Sequence, residues 1–213
     1  MIYQYPDAVV MIFCKAPVAG QVKTRLTPEL TAEQAMQVHI ELTQRTLQLA
    51  TQSHLCPVQL WCMPSTDHAF FIASAQTWPV ILQQQKGNDL GERMNHAFCS
   101  ALNNYSHALI VGCDCPSLTE QDLEEALIAL KQQKCCVLAP AEDGGYVLIG
   151  LNQAHPELFD NMPWGTEHVL EQTRIRIKQY NLHHYELKEQ WDVDAPKDLT
   201  RYHALNQDSR DTA

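Results

Sequence analysis

The sequence predicts an α/β fold organised around a mainly parallel sheet. Two observations carry this. Short apolar runs of strand length alternate with longer amphipathic segments along the chain. Strands separated by helices form βαβ units, which set the strands parallel. A third observation fits the same architecture: the cations of the first half collect in loops that follow strands. Open α/β sheets bind ligands at that edge.

Ala8 to Cys14 is a buried strand, and Thr31 to Gln52 a long helix. Thr31 caps that helix with Gln34 as its reciprocal partner, and Ala35, Val38, Leu42 and Leu49 share one face. Val58 to Met63 is a second strand, Asp67 to Ala75 a short helix, Pro79 to Gln84 a third strand and Leu90 to Asn103 a helix. Ala108 to Val111 is a short apolar fourth strand. Thr119 to Gln132 is amphipathic, with Leu123, Leu127 and Leu130 inward and Asp122, Glu124, Glu125 and Lys131 pointing elsewhere. Cys135 to Pro140 and Tyr146 to Leu151 are two more strands. A helix capped by Thr166 runs to Tyr180, a last strand spans Leu182 to Leu187, and a last helix runs from Pro196 to Leu205. Residues 1–205 read as one domain and 206–213 as a polar tail.

The 213-residue chain is long enough for a substantial core. Its net charge of −10 repels phosphate backbones, so nucleic acid is not an expected partner. No apolar run approaches the roughly 20 residues that span a bilayer, and the start lacks a basic leader, so a cytoplasmic protein without membrane insertion is expected. The eight cysteines lack finger-like paired spacing and fall largely in apolar runs. They read as buried reduced thiols.

Only six Lys or Arg occur in the first hundred residues, and five sit in two loops after strands. The first loop, Lys15-Ala16-Pro17 through Gly20 to Lys23-Thr24-Arg25, follows strand one. The second, Lys86-Gly87 through Asp89-Leu90 to Arg93, follows strand three. Gly20 permits close backbone approach, and lysine and arginine supply charge-assisted bonds, so these loops are expected to hold phosphate. A solvated loop with scattered cations is the plainer alternative. The triphosphate loop needs glycine before Lys-Ser/Thr, whereas Val22 stands there, and the dinucleotide fingerprint needs glycines beyond Gly20.

Strand four ends in Gly112-Cys113-Asp114-Cys115-Pro116. An acid there is costly unless paired, and a hard divalent cation such as Mg²⁺ or Mn²⁺ is a natural partner; a turn or cap is the alternative. Asp192 and Asp194 in Trp191-Asp192-Val193-Asp194 point to one side if extended, one to cap the last helix and the other to bind metal. In Glu142-Asp143-Gly144-Gly145-Tyr146 the glycines permit close ligand approach, and Glu142 or Asp143 is a candidate base. The pattern alone favours a plain hairpin turn, for which Asp-Gly is a common pair. Trp164 of Trp164-Gly165-Thr166 can stack on a sugar or base, or fill the core.

Six ordered motifs together carry a resemblance: Lys-Ala-Pro…Lys-Thr-Arg-Leu, Asp-Leu-Gly-Glu-Arg-Met, Gly-x-Asp-x-Pro-x-Leu, Asp-Gly-Gly-Tyr-x-Leu-Ile-Gly-Leu, Trp-Gly-Thr and Trp-Asp-Val-Asp-x-Pro-x-Asp-Leu. From about Val9 to Leu199 the chain resembles the bacterial DUF2064 family, provisionally assigned as glycosyltransferases, some linked to arsenosugar biosynthesis. The resemblance implies the GT-A, nucleotide-diphospho-sugar transferase fold: a three-layer α/β/α arrangement with a mixed, mostly parallel sheet. It implies relatives among the guanylyltransferases for molybdenum cofactor and phospholactate. It makes Asp114 a metal ligand and Asp194 a second. It assigns the nucleotide to Lys15, Ala16, Pro17, Gly20, Lys23 and Arg25 of the first loop and to Gly87, Asp89, Leu90 and Arg93 of the second. Ala195 and Lys197 depart from the Thr and Glu usual in sugar-nucleotide-forming relatives.

The expected reaction is metal-dependent transfer of a sugar from a nucleotide-diphosphate sugar to a small-molecule acceptor. Asp114, Lys23 and Arg25 stabilise the leaving group, Asp143 serves as base, and Asp143 to Tyr146 with Trp164, Gly165 and Thr166 shape the acceptor pocket. The alternatives are a nucleotidyltransferase that releases pyrophosphate from a nucleoside triphosphate and a non-catalytic nucleotide-binding protein.

Overall fold

The computed structural model describes residues 2–211, with side chains through residue 205. Its element order is β1 (Ala8–Lys15), α1 (Ala32–Gln52), β2 (Val58–Met63), α2 (Ala69–Thr77), β3 (Val80–Gln84), α3 (Leu90–Ala101), β4 (His107–Gly112) and α4 (Glu120–Lys131). There follow β5 (Cys136–Pro140), β6 (Tyr146–Leu151), α5 (Val169–Gln179), β7 (His184–Glu186) and α6 (Pro196–Asp211). The strands form one sheet in the order β3-β2-β1-β4-β6-β5-β7. β6 alone runs antiparallel to its neighbours, β4 and β5. The mixed, mostly parallel sheet is therefore as expected.

Alternation along the strands builds two cores. Val10, Ile12 and Cys14 of β1 join Leu123 and Leu127 of α4 on one face, with Phe71 of α2 and Leu47 of α1. Val9 and Met11 join Phe98 of α3 and Leu170 and Ile177 of α5 on the other. Side chains that alternate across a pleat thus feed two helical layers from one strand. A third cluster, with Leu42 of α1, Trp191, Val193 and Tyr202, fastens α6 to α1. None of the described helices is long and apolar enough to cross a membrane.

Local signals set the helix starts. At α1 the Thr31 hydroxyl accepts the Gln34 N–H, and the Gln34 side chain accepts the Thr31 N–H at 2.8 Å. Thr119 and Asp122 form a second capping box at α4. That pairing corrects the outward placement of Asp122: it is 2% exposed, because its carboxylate closes the box and meets Lys188 at 3.3 Å. Six of the eight thiols are buried, whereas Cys99 is exposed and Cys135 partly so; all eight are free.

Two ends differ from the sequence reading. α5 starts at Val169, and the Thr166 hydroxyl donates to Pro163 O at 2.8 Å rather than capping the helix. Residues 164–168 are spent on a turn that borders the site described next. The backbone of α6 continues past Leu205 to Asp211, and residues 212–213 of the expected tail lie outside the described residues.

Candidate active site

The chain winds outward from β1 to β3 and then returns to place β4 on the other side of β1. This reversal opens a crevice at the carboxyl ends of β1 and β4, the place where open α/β sheets bind ligands. Asp114 lies two residues beyond β4. Its neighbours are tied to the segment before α6: Val193 N–H donates to Asp114 O at 3.0 Å, and Trp191 N–H donates to the Ser117 hydroxyl at 3.1 Å. The Ser117 hydroxyl in turn donates to Gln190 at 2.7 Å. Val193 is fully buried, so Asp192 and Asp194 on either side of it turn together toward the crevice.

The result is a cleft of about 350 Å³ bordered by four carboxylates, Asp114, Asp143, Asp192 and Asp194. Phe13, Met94, Ile110 and Ile149 supply its apolar wall. Every residue of the expected acceptor set except Gly144 borders this cleft: Asp143, Gly145, Tyr146, Trp164, Gly165 and Thr166.

Two cations answer the four acids. Lys23 Nζ lies 3.0 Å from Asp114 Oδ2, with the lysine side chain only 6% exposed. Arg25 pairs with Asp194 and is 68% exposed. Lys23 holds a left-handed backbone, φ 49° and ψ 37°, at the start of a 3-10 turn. That conformation costs a non-glycine residue roughly 1–2 kcal/mol and aims the ammonium at Asp114. Strain of this kind collects at functional sites.

Protonation follows from these contacts. Burial works against the Lys23 ammonium, but the Asp114 carboxylate outweighs it and holds the lysine above its ordinary value. Burial also opposes the Asp114 carboxylate, and the charge and hydrogen bond of Lys23 overcome it and hold Asp114 low. Asp192 makes no ion pair among the described residues, and the more distant Lys23 charge offsets its burial only in part. Burial, then the charges of Asp114 and Asp143, push its carboxyl up to about 7. Burial likewise pushes the Tyr146 phenol up, so it stays neutral.

Asp192 is the residue that sequence reasoning underweighted. Its alternation with Asp194 was the available signal, and that signal could not choose between a capping and a ligating role. Neither aspartate caps α6 through its side chain: Asp198 does so, accepting the Asp194 N–H at 3.1 Å and the Ala195 N–H at 2.7 Å.

Other expected residues divide. Asp143 accepts the Gly145 N–H at 2.9 Å through Oδ1. Glu142, the other candidate base, is bound to Arg201 at 2.9 Å beside Trp191. Gly144 has φ +86°, and a Cβ there would stand 2.2 Å from the Glu167 carbonyl oxygen. The Trp164 ring packs in the space left by Gly91, with Nε1 2.7 Å from where a Cβ would be. It therefore fills core and borders the cleft at once.

The two basic loops lie along the same sheet edge. Ala16 N–H donates to Met63 O at 2.7 Å, and the Gln85 side chain donates to Cys14 O and Trp61 O. Within them, the Lys15 ammonium donates to Gln21 O at 2.9 Å, Pro17 is buried and Gly20 is exposed at φ +76°. Asp89 caps α3 by accepting the Glu92 N–H at 2.8 Å. Arg93 folds back onto the carbonyls of Gly87 and Asn88 and the sulfur of Met63. Gly87 takes φ +141° where a Cβ would meet Glu92 at 2.6 Å. Of the expected nucleotide-binding residues, only Arg25 and Leu90 border the carboxylate cleft.

Known proteins bear on this geometry. A nucleotide-diphospho-sugar transferase, provisionally so named, from Desulfovibrio desulfuricans G20 superposes with a TM-score of 0.81 at 28% identity, over 89% of this chain and 83% of that one. CMP:2-keto-3-deoxy-manno-octonic acid synthetase complexed with CTP superposes at 0.57 with 11% identity, over 95% and 99%. Glucosyl-3-phosphoglycerate synthase from Mycobacterium tuberculosis, complexed with Mn²⁺, UDP and glucosyl-3-phosphoglycerate, superposes at 0.52 with 8% identity, over 92% and 75%. The latter two likenesses establish the fold alone. No curated protein matches the chain. The sequence profile described as "Uncharacterized protein conserved in bacteria (DUF2064)" matches residues 46–166, more than half of the chain, which therefore belongs to the DUF2064 family.

Proposed function

We propose that the protein is a transferase acting on a nucleotide-diphosphate sugar, passing the sugar to a hydroxyl of a small acceptor held in the carboxylate cleft. The observation that carries this reading is the convergence of Asp114, Asp192 and Asp194 with Lys23 and Arg25 at the sheet's switch point. Four carboxylates face two cations, and the surplus negative charge appears as the raised Asp192. All-oxygen donors with surplus charge suit a hard divalent cation, Mg²⁺ or Mn²⁺. Asp114 and Asp194 would hold it, with Asp192 as a third ligand. Such an ion, when bound, offsets the charge of a diphosphate.

The chain's own residues do the rest. Lys23 lends a fixed positive charge beside Asp114, preorganised by burial and by its strained backbone. Arg25, largely exposed, can exchange Asp194 for a phosphate oxygen. Asp143 has one oxygen engaged by the Gly145 N–H and the other free to take the acceptor hydroxyl's proton. The acceptor oxygen bonds to the sugar's anomeric carbon as the bond from that carbon to the diphosphate oxygen breaks. Phe13, Met94 and Ile110 exclude water from that side.

A nucleotidyltransferase is the second reading, because the same fold is found in a synthetase complexed with CTP. The two reactions leave different products. Incubation with panels of sugar nucleotides and nucleoside triphosphates, with Mn²⁺, separates them. Release of a nucleoside diphosphate supports sugar transfer, and release of pyrophosphate supports the second reading. Donor binding without either product would favour a non-catalytic nucleotide-binding protein.

A further inference from the structure

A cluster of soft donors lies behind Asp114, on the α1 side of the sheet. β1 and β4 are parallel neighbours in register up to Phe13 and Gly112, so the next step sets Cys14 beside Cys113. His39 of α1 reaches both. The donor atoms of Cys14, His39 and Cys113 all lie within 4.8 Å of one another. The residues are 1%, 5% and 6% exposed. Cys14 Sγ lies 3.7 Å from His39 Nε2 and 3.6 Å from the Thr43 hydroxyl. The Lys15 carbonyl oxygen lies 2.8 Å from His39 Nε2 and 3.3 Å from Cys14 Sγ.

We propose that Cys14, His39 and Cys113 form a site for a thiophilic divalent cation, Zn²⁺, separate from the carboxylate cleft. Charge makes burial acceptable: two thiolates and a neutral imidazole cancel a doubly positive ion, whereas any of these charges alone would be expelled. Size agrees as well. Tetrahedral zinc, with bonds of about 2.3 Å to sulfur and about 2.0 Å to nitrogen, sets its ligand atoms roughly 3.5–3.8 Å apart. The Cys14–His39 separation already meets that spacing, and since all three donors lie within 4.8 Å of one another, no pair needs to close by more than about 1 Å.

Binding balances as follows. Both thiols lose a proton to solvent. His39 stays neutral: its single ring proton leaves Nε2, where it is donated to Lys15 O, and is taken up at Nδ1 through solvent exchange, so that Nε2 is offered to the metal. The freed Lys15 carbonyl becomes the fourth donor. Donor softness sorts the ions between sites: thiolates select zinc, and the aspartates select Mg²⁺ or Mn²⁺. Once bound, zinc ties the end of β1 to the loop that carries Asp114.

Cobalt tests this without activity. One equivalent of Co²⁺ added to the reduced full chain should give thiolate-to-cobalt charge transfer in the near ultraviolet and the intense visible bands of tetrahedral cobalt. One equivalent of Zn²⁺ should bleach both, and excess Mg²⁺ should bleach neither. Cys14→Ser and Cys113→Ser should each abolish the charge-transfer band. Cys99→Ser, at an exposed thiol, should leave it unchanged, and His39→Gln should weaken Zn²⁺ competition at least tenfold. Asp114→Asn should keep the bands, so failure of the carboxylate reading and failure of this one are distinguishable. Weak octahedral spectra in the wild type, or tetrahedral bands that survive in both folded cysteine variants, would overturn the assignment.

Discussion

Asp192→Asn exposes the electrostatics of the cleft most clearly. Burial and the charges of Asp114 and Asp143 raise the Asp192 carboxyl from 3.8 to about 7. The folded protein therefore holds the proton more tightly than the unfolded chain. As pH rises from about 4 to about 7, the unfolded carboxyl ionises first, and the folded state loses stability across that window. Above it the full penalty applies. A shift of about 3 units corresponds to roughly 4 kcal/mol at most, and solvent screening of this half-buried group reduces it to ~1–2 kcal/mol. Asparagine removes the penalty. In EDTA at pH 8 the variant should unfold at higher urea, gaining ~1–2 kcal/mol, and the gain should vanish near pH 4. Mn²⁺ should reverse the order, because the wild type gains a ligand when the proton leaves. Wild-type Mn²⁺ affinity should fall up to about tenfold per pH unit below 7, and the variant's should be weaker and flatter. Urea melts followed by tryptophan fluorescence, with Mn²⁺ calorimetry, read both effects. A wild type more stable than the variant at pH 8 without metal would refute the reasoning.

Three further substitutions probe other links. Lys23→Ala leaves Asp114 without its 3.0 Å partner, and because Asp114 keeps some solvent the melt should show a loss of about 1–2 kcal/mol, with kcat/KM down at least ~100-fold in the donor assay. Gly144→Ala forces a Cβ to within 2.2 Å of a carbonyl oxygen at φ +86° and should cost about 2–4 kcal/mol. Gly20→Ala, with open space at its φ +76°, should cost only the strain of about 1–2 kcal/mol; thermal melts compare the two. Thr31→Ala breaks the α1 capping box and should lower stability by about 1 kcal/mol with donor turnover unchanged.

Legibility in the sequence followed the range of the interactions. The α1 box of Thr31 and Gln34 and the apolar runs of β1 and β2 are local, and they stand where the sequence puts them. The periodicity of α4 turns Asp122 away from its leucines, but the contacts that bury it, the box with Thr119 and the ion pair with the remote Lys188, are not features of that periodicity. Thr166 looks like a cap for α5 but belongs to a turn whose shape is set by packing around Trp164. At the site, strand-end placement singled out Asp114, and motif order singled out Lys23 and Arg25. The weight of Asp192 was hidden because its raised carboxyl depends on Asp114 and Asp143, which only the fold brings near. The neighbourhood of Cys14, His39 and Cys113 was hidden for the same reason: it arises from the β1–β4 register and the packing of α1. No short spacing encodes it.

The central claim is that the carboxylates and Lys23 together grip a metal-bound diphosphate. Calorimetric titration of a nucleoside diphosphate panel into wild type and Asp114→Ala, with Mn²⁺ and with EDTA, tests it most directly. The account predicts that a wild-type ligand binds at least ~100-fold more tightly with Mn²⁺ than with EDTA, and that Asp114→Ala abolishes this difference. Equal affinity under the two conditions in the wild type, or an undiminished Mn²⁺ effect in the variant, would contradict it.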